Sequence, residues 1–131
     1  VVMLGRYPLE RMPSFFQHAD ALLVSLKDEP VFAMTIPGKI QSYMATGVPL
    51  IAMLNGEGAS VIKQHGAGLV CAAGDHEGLA NAVIAFDQMT PQDRKLMGVK
   101  AQTAYLEEFQ RGALMQKLET WLEQLKLDPC T

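Results

Sequence analysis

The sequence predicts an α/β fold, in which a mostly parallel β-sheet has helices on both faces. Short apolar runs, each the length of one strand, alternate with segments whose apolar residues recur every three or four positions. The connections between the runs are long enough for the crossovers that join parallel strands. We therefore expect a doubly wound sheet of about four strands, in one domain covering residues 1–131.

Four runs are predicted as strands buried on both faces because they are short and continuously apolar. These strands are residues 1–4, 21–26, 49–54 and 68–72. The amphipathic segments between them predict helices over residues 9–19, 38–46 and 59–65.

After Ala72 the pattern predicts helices only. Asp75 is the expected N-cap of a helix over residues 75–89, and Thr90 is the expected cap of a second helix, with Pro91 in its first turn. A third helix follows Gly112, and we expect the second and third helices to pack beside the sheet. The third helix carries an apolar stripe formed by Leu114, Leu118, Trp121, Leu122 and Leu125. We expect part of this stripe to be exposed and to favour self-association.

Composition excludes several function classes. No apolar run approaches the roughly 20 residues that cross a bilayer, and no secretory signal is present, so we expect a cytoplasmic protein. Net charge is −3 with scattered Lys and Arg, which argues against nucleic-acid binding. Cys71 and Cys130 are too few and too far apart for a disulfide framework or a zinc site. The three histidines have no partner at ligand spacing and are interpreted as structural or solvated: His18, His65 and His76.

The segment TIPGKIQSYMATGVPLIAMLNGEG, residues 35–58, contains two glycine-bearing turns that each lead into a helix. Ligands of a doubly wound sheet bind at the carboxyl ends of its strands, where helix starts offer free N–H groups to anions. Two such starts on neighbouring strands suit a diphosphate, with Lys39 as an added charge. The alternative is that the glycines only make tight turns and Lys39 is solvated. Neither the G-x-G-x-x-G fingerprint nor a Walker-type loop is present.

LGRYPLERMPSFFQHADALLVSL and PGKIQSYMATGVPLIAMLNGEGASVIKQHGAGLV together resemble a known family. They are similar to the donor-binding, C-terminal domain of family 4 retaining glycosyltransferases, which have a two-domain B-type fold with Rossmann-like, three-layer halves. Within that family the chain looks most like the bacterial enzymes that build surface polysaccharides. These include N-acetylfucosamine transferases of O-antigen, and hence lipopolysaccharide, synthesis. The likeness covers about residues 1–125.

The resemblance implies donor-binding residues in three turns and in the helix that follows the second turn. These residues are Gly5, Arg6, Tyr7, Pro37, Gly38, Lys39, Ser42, Gly56, Glu57, Gly58 and Ala59. The first turn would border the nucleobase, the second would present N–H groups to the diphosphate, and the third would lie near the sugar or the diphosphate. Glu57 has an alternative interpretation as a partner of its own helix dipole.

The chain departs from the family at two positions. Where the family has two glutamates, the second of them on the ribose, this sequence has Met34 and Ser42. The positive pair that neutralises the diphosphate would lie upstream of Val1. We therefore expect a fragment that lacks its first βα unit and its N-terminal acceptor domain. The catalytic residues are unknown and are expected in that domain, so the fragment alone should be inactive.

The resemblance implies transfer, with retention, of a hexosyl or N-acetylhexosaminyl group from a nucleotide sugar, expected to be a UDP-sugar. The acceptor would be a bacterial surface polysaccharide or a lipid-linked saccharide at the inner face of the cytoplasmic membrane. No metal or other cofactor is expected. Two alternatives are a nucleotide-sugar epimerase of the same fold and a catalytically silent nucleotide-binding or interaction domain.

Overall fold

The computed structural model describes residues 1–127 of the chain. Three parallel strands form its sheet in the order β1-β2-β3: β1 is Leu22–Ser25, β2 is Leu50–Met53 and β3 is Gly68–Cys71. The α-helices of the described residues are α1 Met12–Phe16, α2 Pro30–Ala33, α3 Gly38–Thr46, α4 Glu57–His65, α5 His76–Gln88, α6 Pro91–Ala104 and α7 Arg111–Leu127. A 3₁₀ turn, Leu9–Arg11, precedes α1, and a π-helical turn, Tyr105–Phe109, joins α6 to α7.

One face of the sheet carries the main core. The register pairs Val24 with Ala52 and Ala52 with Val70, so these side chains point to the same face. Buried residues of α3, α4 and α6 pack on this face: Ile40, Met44, Ala59, Val61, Ile62, Ala101 and Ala104. Burying this continuous apolar surface is the main stabilising contribution to the domain.

Helix α5 covers the opposite face over β2 and β3. Cys71 points to that face because it pairs with Met53 and alternates with Val70. A Cβ atom built on Gly78 of α5 would lie 2.9 Å from the Cys71 Cβ, so the backbone of α5 lies directly on the end of β3. Helices on both faces of a parallel sheet confirm the predicted three-layer α/β fold.

The sheet has three strands and not the four that we predicted. Residues 1–4 form no strand and are exposed, with Val2 81% and Met3 90% accessible. A strand requires a neighbour that takes up its backbone hydrogen bonds, and none of the described strands lies beside this segment. Local sequence predicted an extended apolar run, but pairing is not a local property.

Strand β1 is also not buried on both faces. Leu22 and Val24 are buried, whereas Leu23 is 55% exposed and Ser25 is exposed, because α5 does not extend over β1. Strand β2 agrees with the prediction, since Leu50, Ile51 and Ala52 are all buried.

Two predicted helices are corrected as well. The helix predicted over residues 9–19 is only the 3₁₀ turn followed by the five residues of α1. Helix α7 does not pack beside the sheet: its main contact is with the π-helical turn, and its apolar stripe is exposed. Helix α6 does pack on the domain, against α3 and α4, as predicted.

None of the helices within residues 1–127 combines the length and the apolar composition that crossing a membrane requires.

Candidate functional site

The carboxyl edge of the sheet is the candidate site. The three strands are parallel, so Ser25, Met53 and Cys71 end at the same edge. Two of the helices that follow them, α3 and α4, begin with the two glycine-bearing turns identified in the sequence. Helix α3 begins at Gly38 as predicted, whereas α4 begins at Glu57, two residues before the predicted start.

The starts of α3 and α4 are in direct contact. Gly58 is buried in the first turn of α4, where a Cβ atom would lie 2.7 Å from Ile40 Cδ1 and 3.4 Å from Pro37 Cδ. Pro37 is the N-cap of α3, so the first turn of α4 packs against the first turn of α3. The lack of a side chain at Gly58 is what permits this approach.

Gly56 is the N-cap of α4 and has φ 77° and ψ −148°, a conformation that is accessible only to glycine. A Cβ atom at Gly56 would overlap the carbonyl oxygen of Ala33 at the end of α2. Helix α2 therefore packs on the loop that starts α4. No element was predicted here, whereas the structure has α2 beginning at Pro30.

Neither α3 nor α4 has a side-chain cap. Their N-cap residues are Pro37 and Gly56, which have no side-chain acceptor for the free N–H groups of the first turn. Helices α5 and α6 differ: the Asp75 carboxylate accepts from Gly78 N–H at 2.7 Å, and the Thr90 hydroxyl accepts from Asp93 N–H at 3.1 Å. The predicted caps Asp75 and Thr90 are confirmed. The two helix starts at the carboxyl edge are thus open to an external acceptor.

The charges beside these two starts have opposite sign. Lys39 in the first turn of α3 and Glu57 in the first turn of α4 are both exposed. No heavy atom lies within 4 Å of the position that a Cβ atom would take on Gly38. Uncapped N–H groups, two helix dipoles and a lysine at an open position can hold an anion, with Glu57 opposing anions on its own side.

Ser42 lies one turn into α3, where its hydroxyl donates a 2.9 Å hydrogen bond to the carbonyl oxygen of Gly38. Its proton is therefore used within its own helix, although its oxygen can still accept a hydrogen bond. Met34 is 73% exposed at the end of α2. Neither Met34 nor Ser42 provides the carboxylate that a glutamate at its position would supply.

The structure does not place residues 5–7 with the two helix starts. Gly5, Arg6 and Tyr7 are exposed, and the Tyr7 ring packs on Phe15 of α1 with ring centroids 4.8 Å apart. The next residue, Phe16, contacts Tyr43 in the middle of α3, 5.4 Å between centroids. A role of residues 5–7 at a nucleobase stays a prediction.

Asn55 is a residue of the site that sequence reasoning missed. Its Nδ2 atom donates to Asp28 Oδ1 at 2.9 Å, and its Oδ1 atom accepts from Ala73 N–H at 3.1 Å. The sequence signal was an Asn-Gly pair, which is typical of any tight turn. The partners lie 27 and 18 residues away, so no local pattern could reveal them.

Two shallow cavities flank Asn55 at this edge. One of about 240 Å³ lies beside the start of α4 and is lined by Gly56, Ser60 and Lys63, among others. The other, about 370 Å³, lies beside Lys27 and Asp28. A cavity of about 520 Å³ lies at the opposite end of the sheet, next to Pro49 and the start of α6. We favour the carboxyl edge because the start of α6 is already capped by Thr90.

Within residues 1–127, no group of three or more His, Cys, Asp and Glu side chains could hold a metal ion. Cys71 is half-buried, and its sulfur lies 3.5 Å from the carbonyl oxygen of Ala52. Burial raises the pKa of the Cys71 thiol, and the negative charge of Asp75 raises it further. This thiol is therefore poorly suited to act as a nucleophile near neutral pH. Cys130 lies outside the described residues.

A parallel sheet with helices on both faces is the architecture of Rossmann-like α/β domains, in which ligands bind at the carboxyl ends of the strands. Comparison with known families identifies the chain further. Residues 1–87 match the family described as "Glycosyl transferases group 1", which is 87 of 131 residues. The chain belongs to this family, whose members transfer a glycosyl group from a donor to an acceptor. The matched region contains the sheet, α1 to α4 and all but the last residue of α5. No curated protein shows significant similarity to the chain.

Proposed function

We propose that this chain is the donor-binding domain of a glycosyltransferase, and that the starts of α3 and α4 hold the diphosphate of a nucleotide sugar. The observation that carries the proposal is the direct contact between two helix starts that lack side-chain caps. A diphosphate has two adjacent anionic groups, so one can lie at each start. The donor is a UDP-sugar that carries a hexosyl or N-acetylhexosaminyl group.

The rest of the reaction follows from the resemblance to retaining, two-domain enzymes of bacterial surface-polysaccharide synthesis. The acceptor is a lipid-linked saccharide, and the catalytic residues and counter-charges lie on parts of the enzyme other than residues 1–131. Strand β1 supports further structure beside it: its outer edge is unpaired in residues 1–127, and Leu23 is 55% exposed. The leaving diphosphate gains negative charge as the glycosyl bond breaks, and preorganised N–H groups stabilise that charge. This domain alone is expected to transfer nothing.

Titration of UDP into the intact protein tests the proposal. Gly38→Val places a branched side chain where the phosphate would approach the backbone, so we expect binding to be lost while the fold is kept, because the space around Gly38 is open. Gly112→Val is the matched control, since Gly112 lies in the first turn of α7 and the nearest atom to a Cβ there is Oε1 of the flexible Gln110 side chain at 3.5 Å. Circular dichroism confirms folding. Unchanged UDP affinity in a folded Gly38→Val protein would contradict the proposal.

Lys39→Ala provides a second, weaker test. It removes one point charge beside α3, and we expect UDP affinity to fall about fivefold or more, as for the loss of one charge-assisted hydrogen bond. Lys117→Ala, an equally exposed lysine on α7, should have no effect. Ser42→Ala should matter less than Lys39→Ala, because the Ser42 hydroxyl already bonds to Gly38.

One alternative function has support from a specific observation. Met34 and Ser42 supply no carboxylate for a ribose, which favours a catalytically silent nucleotide-binding domain. Turnover of a panel of nucleotide sugars by the intact protein distinguishes the two. Analysis of the products separates transfer from epimerisation: a glycosylated acceptor supports the transferase, and an altered free nucleotide sugar supports the epimerase.

A further inference from the structure

Asn55 joins the loops that follow all three strands. Asp28 comes three residues after β1, Asn55 two residues after β2, and Ala73 two residues after β3. The amide side chain of Asn55 binds both of the other loops, to the Asp28 carboxylate at 2.9 Å and to the Ala73 N–H at 3.1 Å. A single side chain thus links the whole carboxyl edge of the sheet.

The link begins where the backbone pairing ends. The last interstrand bonds run from Leu26 N–H to the Met53 carbonyl and from Leu54 N–H to the Cys71 carbonyl. Beyond them, the three chains leave the sheet for different helices. Beyond the last interstrand bonds, hydrogen bonds of the Asn55 side chain connect the three loops. Without them the loops would be free to separate.

The chemistry of the two partners determines the orientation of the amide. A carboxylate only accepts hydrogen bonds and a backbone N–H only donates them. Asn55 must therefore direct its NH₂ group to Asp28 and its oxygen to Ala73. Position 55 thus requires a side chain that has both a donor and an acceptor. An aspartate at position 55 could bind Ala73 but would repel Asp28.

We propose that Asn55 is a positioning residue that aims the first-turn N–H groups of α4 at the donor diphosphate; this role rests on the function proposed above. Asn55 directly precedes Gly56, the N-cap of α4. Gly56 packs on the Ala33 carbonyl, and Gly58 packs on α3. With Asn55 held on both sides as well, the start of α4 has little freedom to rotate away from the start of α3.

An exchange of the two side chains tests the proposal in the intact protein. Asn55→Asp places two carboxylates together and removes the donor. We expect faster hydrogen exchange at the Ala73 N–H, which donates to Asn55, and at the Ser60 N–H, which donates to the Gly56 carbonyl at 3.0 Å. We also expect UDP affinity about fivefold or more below the original value. Asp28→Asn keeps an acceptor for Asn55, so it should change both measurements little. The double variant D28N/N55D restores a donor and an acceptor, now reversed, and should recover UDP affinity to within about twofold.

Two measurements separate this proposal from the proposed function. If the unaltered protein does not bind UDP, the nucleotide function fails, and hydrogen exchange still decides whether Asn55 holds the edge. Exchange at the Ala73 and Ser60 N–H groups that is unchanged in Asn55→Ala overturns the positioning role. If UDP binds and the double variant is no better than Asn55→Asp, the positioning role is overturned while the donor site stands. Circular dichroism of each variant establishes that it is folded.

Discussion

Gly56 packs against backbone atoms, whereas Gly58 packs against the end of a side chain. Substituting the two glycines should therefore lower the free energy of unfolding by different amounts. At Gly56 a Cβ atom would overlap a backbone carbonyl, and φ is positive, so Gly56→Ala should lower the free energy of unfolding by at least about 2 kcal/mol. At Gly58 the nearest atom is the end of the Ile40 side chain, which can shift, so Gly58→Ala should cost about 1–2 kcal/mol.

Denaturant unfolding measures both changes. Gly38→Ala is the control, since it begins a helix with no close neighbour, and it should be neutral within about 0.5 kcal/mol. An equal loss of stability in all three variants would show that neither the Ala33 carbonyl beside Gly56 nor the Ile40 side chain beside Gly58 determines the cost of substitution.

The pKa of Cys71 gives a prediction of thiol reactivity. Burial and then Asp75 raise this pKa above its ordinary value of 9.0. In a Cys130→Ser background, we expect the pH midpoint of alkylation to lie above 9.0 and the rate at pH 8 to be lower than for free cysteine. A midpoint at or below 9.0 would contradict the inference that burial dominates.

The same shift makes a contribution to stability that depends on pH. The folded thiol keeps its proton to higher pH than the unfolded thiol, so the contribution is complete below pH 9.0 and is lost as pH rises through the folded pKa. Compared with the parent, Cys71→Ala should therefore show a shallower fall in unfolding free energy above pH 9.0. If the unfolding free energies of the parent and of Cys71→Ala fell equally steeply with pH, the prediction would be contradicted.

At the scale of single elements, the cap of α5 combines two effects that can be separated. Asp75 accepts a hydrogen bond from Gly78 N–H at 2.7 Å and also raises the pKa of Cys71 by its charge. Asp75→Ala should remove both, at a cost of about 1 kcal/mol in the unfolding free energy. Asp75→Asn keeps an acceptor but removes the charge, so it should preserve most of the stability while lowering the alkylation midpoint of Cys71. A midpoint that is unchanged in Asp75→Asn would show that burial alone raises the pKa.

Helix α7 is the element whose packing was predicted wrongly. Its apolar stripe has the spacing of a buried helix face, and that pattern favoured packing on the sheet. In the structure the five side chains are 44–71% exposed, because α6 and the π-helical turn already fill the space beside α3. Periodicity predicts which face of a helix is apolar, but it does not predict what covers that face.

At the scale of the whole molecule, this exposed stripe predicts self-association. Sedimentation velocity should show a mass that increases with protein concentration. Leu118→Glu places a charge in the stripe and should give a monomer, whereas Gln116→Glu adds the same charge on the opposite side of α7 and should not. A strict monomer at high concentration in the unaltered protein would refute the prediction.

The sequence by itself determined the α/β class, the positions of β1, β2 and β3, the start of α3 and the caps of α5 and α6, because each depends on residues within a few positions of one another. It also indicated that two glycine-bearing turns would lie at the same edge, since parallel strands end together. The tertiary structure decided which residues of those turns contact one another and which contact other loops. Gly58 meets Ile40 and Pro37, and Asn55 meets Asp28 and Ala73, across separations that local patterns do not register.

The same distinction explains the errors. Residues 1–4 and the stripe of α7 have the local patterns of a strand and of a buried helix face, yet both are exposed in the structure. Extended backbone becomes a strand only when a neighbour accepts its hydrogen bonds, and an apolar face is buried only when another element has room to cover it. Pattern and propensity belong to the segment itself, whereas pairing and burial are properties of two surfaces brought together by the rest of the chain.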